Sequence, residues 1–151
     1  MTANSILLIL NVAATLYMVG LIWFVQVVHF PLMGKVGEAG FKTYQDLHQK
    51  LTTWVAGPPM LIEAFTSVLL VLFPPVPNAA LLLLGIALLF IIWVSTALLQ
   101  VPCHSQLCRG FDEKVHKQLV LTNWLRTICW SLRGGLVCWF ALEMISNASL
   151  K

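Results

Sequence analysis

The chain has 151 residues, 59% of them hydrophobic and only 10% charged. Soluble domains carry about a quarter charged residues, and a chain this short has too little interior to hide so much apolar surface from water. A soluble globular domain is therefore excluded. The net charge of +3 does not point to nucleic acid, because the basic residues form no cluster and flank apolar runs, as membrane-flanking charges do. A single domain over 1–151 is expected.

The first apolar run, Ile6 to Phe30, contains no charge and exceeds the roughly 20 residues a spanning helix needs. It has no basic segment before it and no small-residue cleavage site, so it reads as a first membrane helix rather than a removed signal. Pro31 is expected to end it, since proline disfavours helical geometry in the residue before it. A short loop, GKVGEAG, follows. A second helix is predicted over 41–73, polar in its first turns (Lys42, Tyr44, Gln45, Asp46, His48, Lys50) and apolar from Leu51. Pro58-Pro59 should kink it early in the span.

Pro74-Pro75-Val76-Pro77-Asn78 reads as a tight uncharged hairpin loop. A third helix is predicted over 79–101 and should stop at Pro102. After the loop CHSQLCRGF, Asp112 suits a helix N-cap and Glu113 a first turn, opening a fourth helix over 112–145. The expected fold class is all-α, an antiparallel four-helix transmembrane bundle.

Charge sets the expected orientation. Lys35, Lys42 and Lys50 flank the first connection, and Arg109, Lys114, Lys117 and Arg126 the third; the second has none and the C-terminal tail only Lys151. By the positive-inside rule the first and third connections are cytoplasmic and both termini outside, in a membrane read as the bacterial inner one. Reduced thiols are expected for the four cysteines, two of them beside that cytoplasmic loop.

Between Leu51 and Cys108 the only charged residue is Glu63, in the middle of the second span. A lone carboxylate there costs about 2.5–3.5 kcal/mol or more, and Arg133 lies at comparable depth on the fourth helix, so a mid-membrane Glu63–Arg133 ion pair is predicted. Its plain reading is a device that fixes helix register; a functional one is proton relay or substrate positioning. On the fourth helix His116, Asn123 and Trp130 repeat at seven, as do Arg126 and Arg133, which places all five on one face. Gln26 and His29, then Tyr44, His48 and Thr52, then Trp93, Thr96, Gln100 and His104 make comparable stripes on the other three helices. Lipid cannot satisfy polar groups, so these stripes should converge inside the bundle.

Each helix thus brings one histidine toward the same end. Imidazole is the commonest metal ligand and an axial haem ligand, and bundles build such sites from facing helices. His29, His48, His104 and His116 are the candidate metal ligands, with His29, His104, Gln100 and Asn123 as candidate cofactor-binding residues. Glu63, Arg126, Arg133 and Tyr44 are the candidate catalytic residues. A boundary histidine is more often an interfacial polar residue, and Cys103, His104 and Cys108 lack zinc-site spacing. The six tryptophans serve packing and the interfacial belts, or else line a cavity for a flat hydrophobic ligand.

The stretch from Gly20 to Pro31, GLIWFVQVVHFP, resembles the first helix of a broad group of small bacterial four-helix membrane proteins. Pro58-Pro-Met-Leu-Ile-Glu63, Trp93-Val-Ser-Thr-Ala-Leu-Leu-Gln-Val-Pro102, Gly110-Phe-Asp and Thr122-Asn-Trp-Leu-Arg-Thr127 are similar to segments of a bacterial membrane family of this size. A looser likeness, in helix count, length and the glycine–aromatic–histidine pattern of the first helix, is to the flavin-independent membrane protoporphyrinogen oxidases and anthrone-oxygenase-like proteins. That likeness implies His29 as a functional histidine. The oxidases also carry a lysine in a later membrane helix, and the spans here have none.

Three functions are carried forward. One is a haem- or metal-dependent membrane oxidoreductase acting on a lipid-soluble substrate. The second is a non-enzymatic accessory subunit of a larger membrane complex; a homo-oligomer or such a larger complex is the expected partner. The third is a small proton-coupled transporter using Glu63.

Overall fold

The computed structural model describes residues 3–75 and 78–149. They form four long helices, α1 (Ala3–Met33), α2 (Glu38–Leu72) and α3 (Ala79–Leu107) and α4 (Glu113–Ser149), with no strand among the described residues. Val76 and Pro77 of the expected hairpin loop, and Lys151 of the charge count, lie outside them. All four helices are long and apolar enough to cross a membrane. Their outward faces suit lipid and not water: Trp54 is 79% exposed, Leu121 70% and Phe90 68%.

Two predicted ends are corrected. α1 does not stop at Pro31, nor α3 at Pro102. Both helices widen into a π turn just before the proline, at Val25–His29 and Thr96–Gln100, where the N–H of Phe30 bonds the carbonyl of Val25 and that of Val101 bonds the carbonyl of Thr96. A proline ring meets the carbonyl four residues back and supplies no N–H of its own. The wider turn relaxes that clash, and the helix continues. His104, expected in a loop, therefore stands on α3. α2 also stays helical through Pro58 and Pro59.

The remaining ends follow local chemistry. Asp112 caps α4 as predicted, its Oδ1 accepting from the N–H groups of Lys114 (2.8 Å) and Val115 (3.1 Å). Just before it Gly110 takes φ +149°, a backbone that only glycine adopts without strain. Asn78 caps α3 by accepting from the Leu81 N–H at 3.2 Å.

α1 packs closely on α2 and α4, and α4 on α3, while α2 and α3 pack least closely of the neighbouring pairs. The helices thus form a ring, α2–α1–α4–α3, with a loose seam between α2 and α3. Three apolar layers fill it. Leu8, Leu70, Leu82 and Phe140 lie at the hairpin end. Met18, Ile22, Met60, Ile92 and Trp130 fill the middle. Phe30, Met33, Phe41, Leu107 and Leu119 lie at the charged end.

Candidate functional site

The polar residues of the interior form two layers. The deeper one centres on Glu63, 0% exposed, and Arg133, 2% exposed. Arg133 Nε donates to Glu63 Oε1 at 2.9 Å, so the predicted ion pair forms, across the bundle between α2 and α4. The other carboxylate contacts are donors too: Thr15 Oγ1 to Oε1 at 2.8 Å and Trp130 Nε1 to Oε2 at 3.0 Å. The guanidinium is equally well occupied. Its Nη2 donates to Ser67 Oγ at 2.9 Å and its Nη1 to the carbonyl of Gly85. Asn11 Nδ2 ties the layer to α1, reaching Thr66 Oγ1 (2.8 Å) and Ser67 Oγ (2.9 Å). The pair is fully hydrogen-bonded, which is what a buried ion pair requires. This network is an anchor between helices.

Sequence reasoning missed Asn11, Thr15, Thr66 and Ser67. Their signal was present: Asn11 and Thr15 are four apart on α1, and Thr66 and Ser67 stand one turn beyond Glu63.

The second layer lies toward the charged end, where three of the four histidines meet. The His29 and His48 rings stack with centroids 4.3 Å apart, and those of His48 and His104 are 5.3 Å apart. Tyr44, near the start of α2, reaches His29 Nε2 with its hydroxyl at 3.3 Å. Thr52 Oγ1 meets His48 Nδ1 at 3.1 Å. Gln45 Nε2 lies 3.0 Å from His104 Nδ1 and 3.4 Å from the His104 carbonyl. A carbonyl only accepts, so that amide nitrogen donates to both, and neutral His104 carries its proton on Nε2. The expected convergence of polar stripes is thus present at this level.

The expected four-histidine metal set is not assembled. His116 is held apart, bonded through Nε2 to the carbonyl of Phe30 at 2.8 Å and packed against Gly34. His29 and His48 lie face to face, which sets their lone pairs side by side rather than toward one point, and the His104 ring is tilted 39° to that of His48. No group of three His, Cys, Asp or Glu among the described residues is arranged to hold a metal. Haem with two axial histidines fits no better, because rings in contact leave no slot for a macrocycle between them. Asn123, a candidate cofactor residue, donates instead to Gln26 Oε1 at 2.8 Å inside the core. All four cysteines are unpaired thiols.

Beside the histidines the loose α2–α3 seam opens into a cleft of about 350 Å³, within the range of small-ligand sites. Ala56, Gly57, Met60, Leu61 and Trp93 make its apolar wall; His48, Thr52, Gln100, His104 and Arg126 line its polar end. Two orphaned atoms belong to that end: Gln100 Oε1 and Arg126 Nε are shut from the surface with no partner. Arg126 rests on the face of Trp130, its Cζ 5.1 Å from the ring centre, a cation–π contact. Since Trp130 also donates to Glu63, one side chain joins the two layers. Of the predicted site residues, His48, His104, Gln100 and Arg126 line the cleft, His29 and Tyr44 stand behind it, and Glu63, Arg133, Asn123 and His116 lie elsewhere.

No family model, curated protein or solved structure matches the chain.

Proposed function

We propose that this membrane protein takes a lipid-soluble molecule from the bilayer into the α2–α3 cleft, and that His104 donates a hydrogen bond to its polar head. The observation that carries this reading is the cleft itself: an apolar slot at the least closely packed seam of the bundle, ending on histidine, glutamine and arginine side chains. Apolar walls with a few polar groups at one end are the usual form of a ligand site. His104 Nε2–H is the donor, with its Nδ1 held by the Gln45 amide at 3.0 Å, and the His48, His29 and Tyr44 rings pack between the cleft and the charged end. By the positive-inside rule that end is cytoplasmic.

This reading keeps the lipid-soluble substrate of the oxidoreductase expectation without its cofactor, since the histidine stack does not suit a haem or a metal. The saturated bonding of Glu63 favours an anchoring role over proton-coupled transport.

The test is photolabelling of the purified full-length protein with a diazirine-bearing long-chain alcohol, read by peptide mass spectrometry. Labelling should concentrate on Met60, Leu61 and Trp93 and fall when Gly57→Trp fills the slot; a Cβ at Gly57 meets nothing within 4 Å. Label spread evenly over the outer faces, unchanged by that substitution, would overturn the reading.

A further inference from the structure

The cleft has a chemical bias that goes further than lipid solubility, and the argument rests on the reading of the cleft as a ligand site. Arg126 is the only charged residue in its lining, which contains no carboxylate. At the bundle centre the charge is balanced: the Glu63 carboxylate is taken by Arg133. Arg126 has no counterpart. Its guanidinium makes no hydrogen bond to any described residue, its Nε is buried without an acceptor, and its contact is the face of Trp130. Arginine stays charged in proteins and presents a planar fork of donors that matches an oxyanion. A cation facing a mostly apolar slot at membrane depth calls for a partner. The Nε2–H of His104 adds a neutral donor in the same lining.

We propose that the ligand of the cleft is an anionic amphiphile. Its oxyanion head, carboxylate or phosphate, sits on Arg126 and His104, and its single apolar chain runs along Gly57, Met60, Leu61 and Trp93 into the lipid. The loose seam admits such a molecule sideways without the head crossing the bilayer core. Trp130 positions Arg126 by holding its guanidinium on one face while donating to Glu63 from its edge.

The experiment competes the photoreactive alcohol with hexadecanol, palmitate and hexadecyl phosphate on the full-length protein in neutral detergent. One anionic competitor or both should displace the probe at about one-tenth the concentration of hexadecanol or less, as charge-assisted hydrogen bonds outweigh neutral ones; whichever acts lower names the head. Arg126→Gln should abolish the difference and Arg126→Lys keep most of it. If Arg126→Gln does not fold, the wild-type ratio and Arg126→Lys decide. Equal displacement by all three competitors overturns the anionic ligand and leaves the cleft reading intact. Displacement by none of them, from a probe that labels only the outer faces, overturns the cleft reading itself.

Discussion

Arg133 of α4 donates through Nε to Oε1 of Glu63 on α2 at 2.9 Å, with both side chains out of reach of solvent. The two helices are diagonal in the ring, so this contact runs through the middle of the bundle and is braced from α1 by Thr15 and Asn11.

Breaking this pair from one side leaves an uncompensated charge. Glu63→Leu or Arg133→Leu alone should each cost about 3–5 kcal/mol, whereas removing both partners should cost much less than their sum. Thermal unfolding of the single and double variants in detergent measures the coupling. Additive losses would show that the pair does not act as a unit.

Trp130 serves both layers. Trp130→Phe keeps an aromatic ring but loses the indole N–H, leaving Glu63 Oε2 without its donor, and the smaller ring leaves space in a fully buried site; the expected loss is at least about 1–3 kcal/mol. The same substitution should alter how the cleft holds its ligand, because a phenyl ring is a weaker cation–π partner for Arg126. Unfolding and photolabelling on the one variant separate the two effects.

His116 was grouped with the other histidines on the sequence, yet it works as a strut between α4 and the end of α1. A Cβ on Gly34 would stand 2.9 Å from His116 Cε1, and the ring cannot step aside without losing its bond to the Phe30 carbonyl. Gly34→Ala should therefore destabilise by about 1–3 kcal/mol. His116→Ala in the same chain should cancel most of the overlap, so the double variant should be more stable than additivity predicts. His116→Ala alone should leave probe labelling of the cleft unchanged.

Cys108 lies between α3 and α4, its thiol donating to Gln49 Oε1 at 3.1 Å. Burial first, then the neighbouring Asp46 carboxylate, push its pKa above the usual thiol range. The thiolate is the reacting species, so its fraction at neutral pH is reduced. Maleimide labelling should be slow at pH 7, rise steeply only at more alkaline pH than for a free thiol, and quicken in Asp46→Asn. A rate at pH 7 equal to that of an unhindered thiol would contradict this.

Topological features were legible because they depend on composition and local pattern. Apolar length marks the spans, Asp112 marks the start of α4, and a lone carboxylate and a guanidinium at matching depth find each other because lipid offers no alternative. The helix ends at Pro31 and Pro102 were not legible. A proline's local rule says stop, and the π turns that let each helix pass depend on the packing that rewards a longer helix.

What the sequence by itself determined is therefore an all-α bundle of four apolar helices, its interior polar stripes and the Glu63–Arg133 pair, all consequences of lipid as solvent. What only the tertiary structure decided is the grouping. His29, His48 and His104 cluster while His116 turns away, Arg126 is left without a carboxylate, and the cleft opens between α2 and α3. Those outcomes rest on ring order, helix rotation and the closeness of each seam, which are properties of several helices packed together and are written in no single stretch of chain.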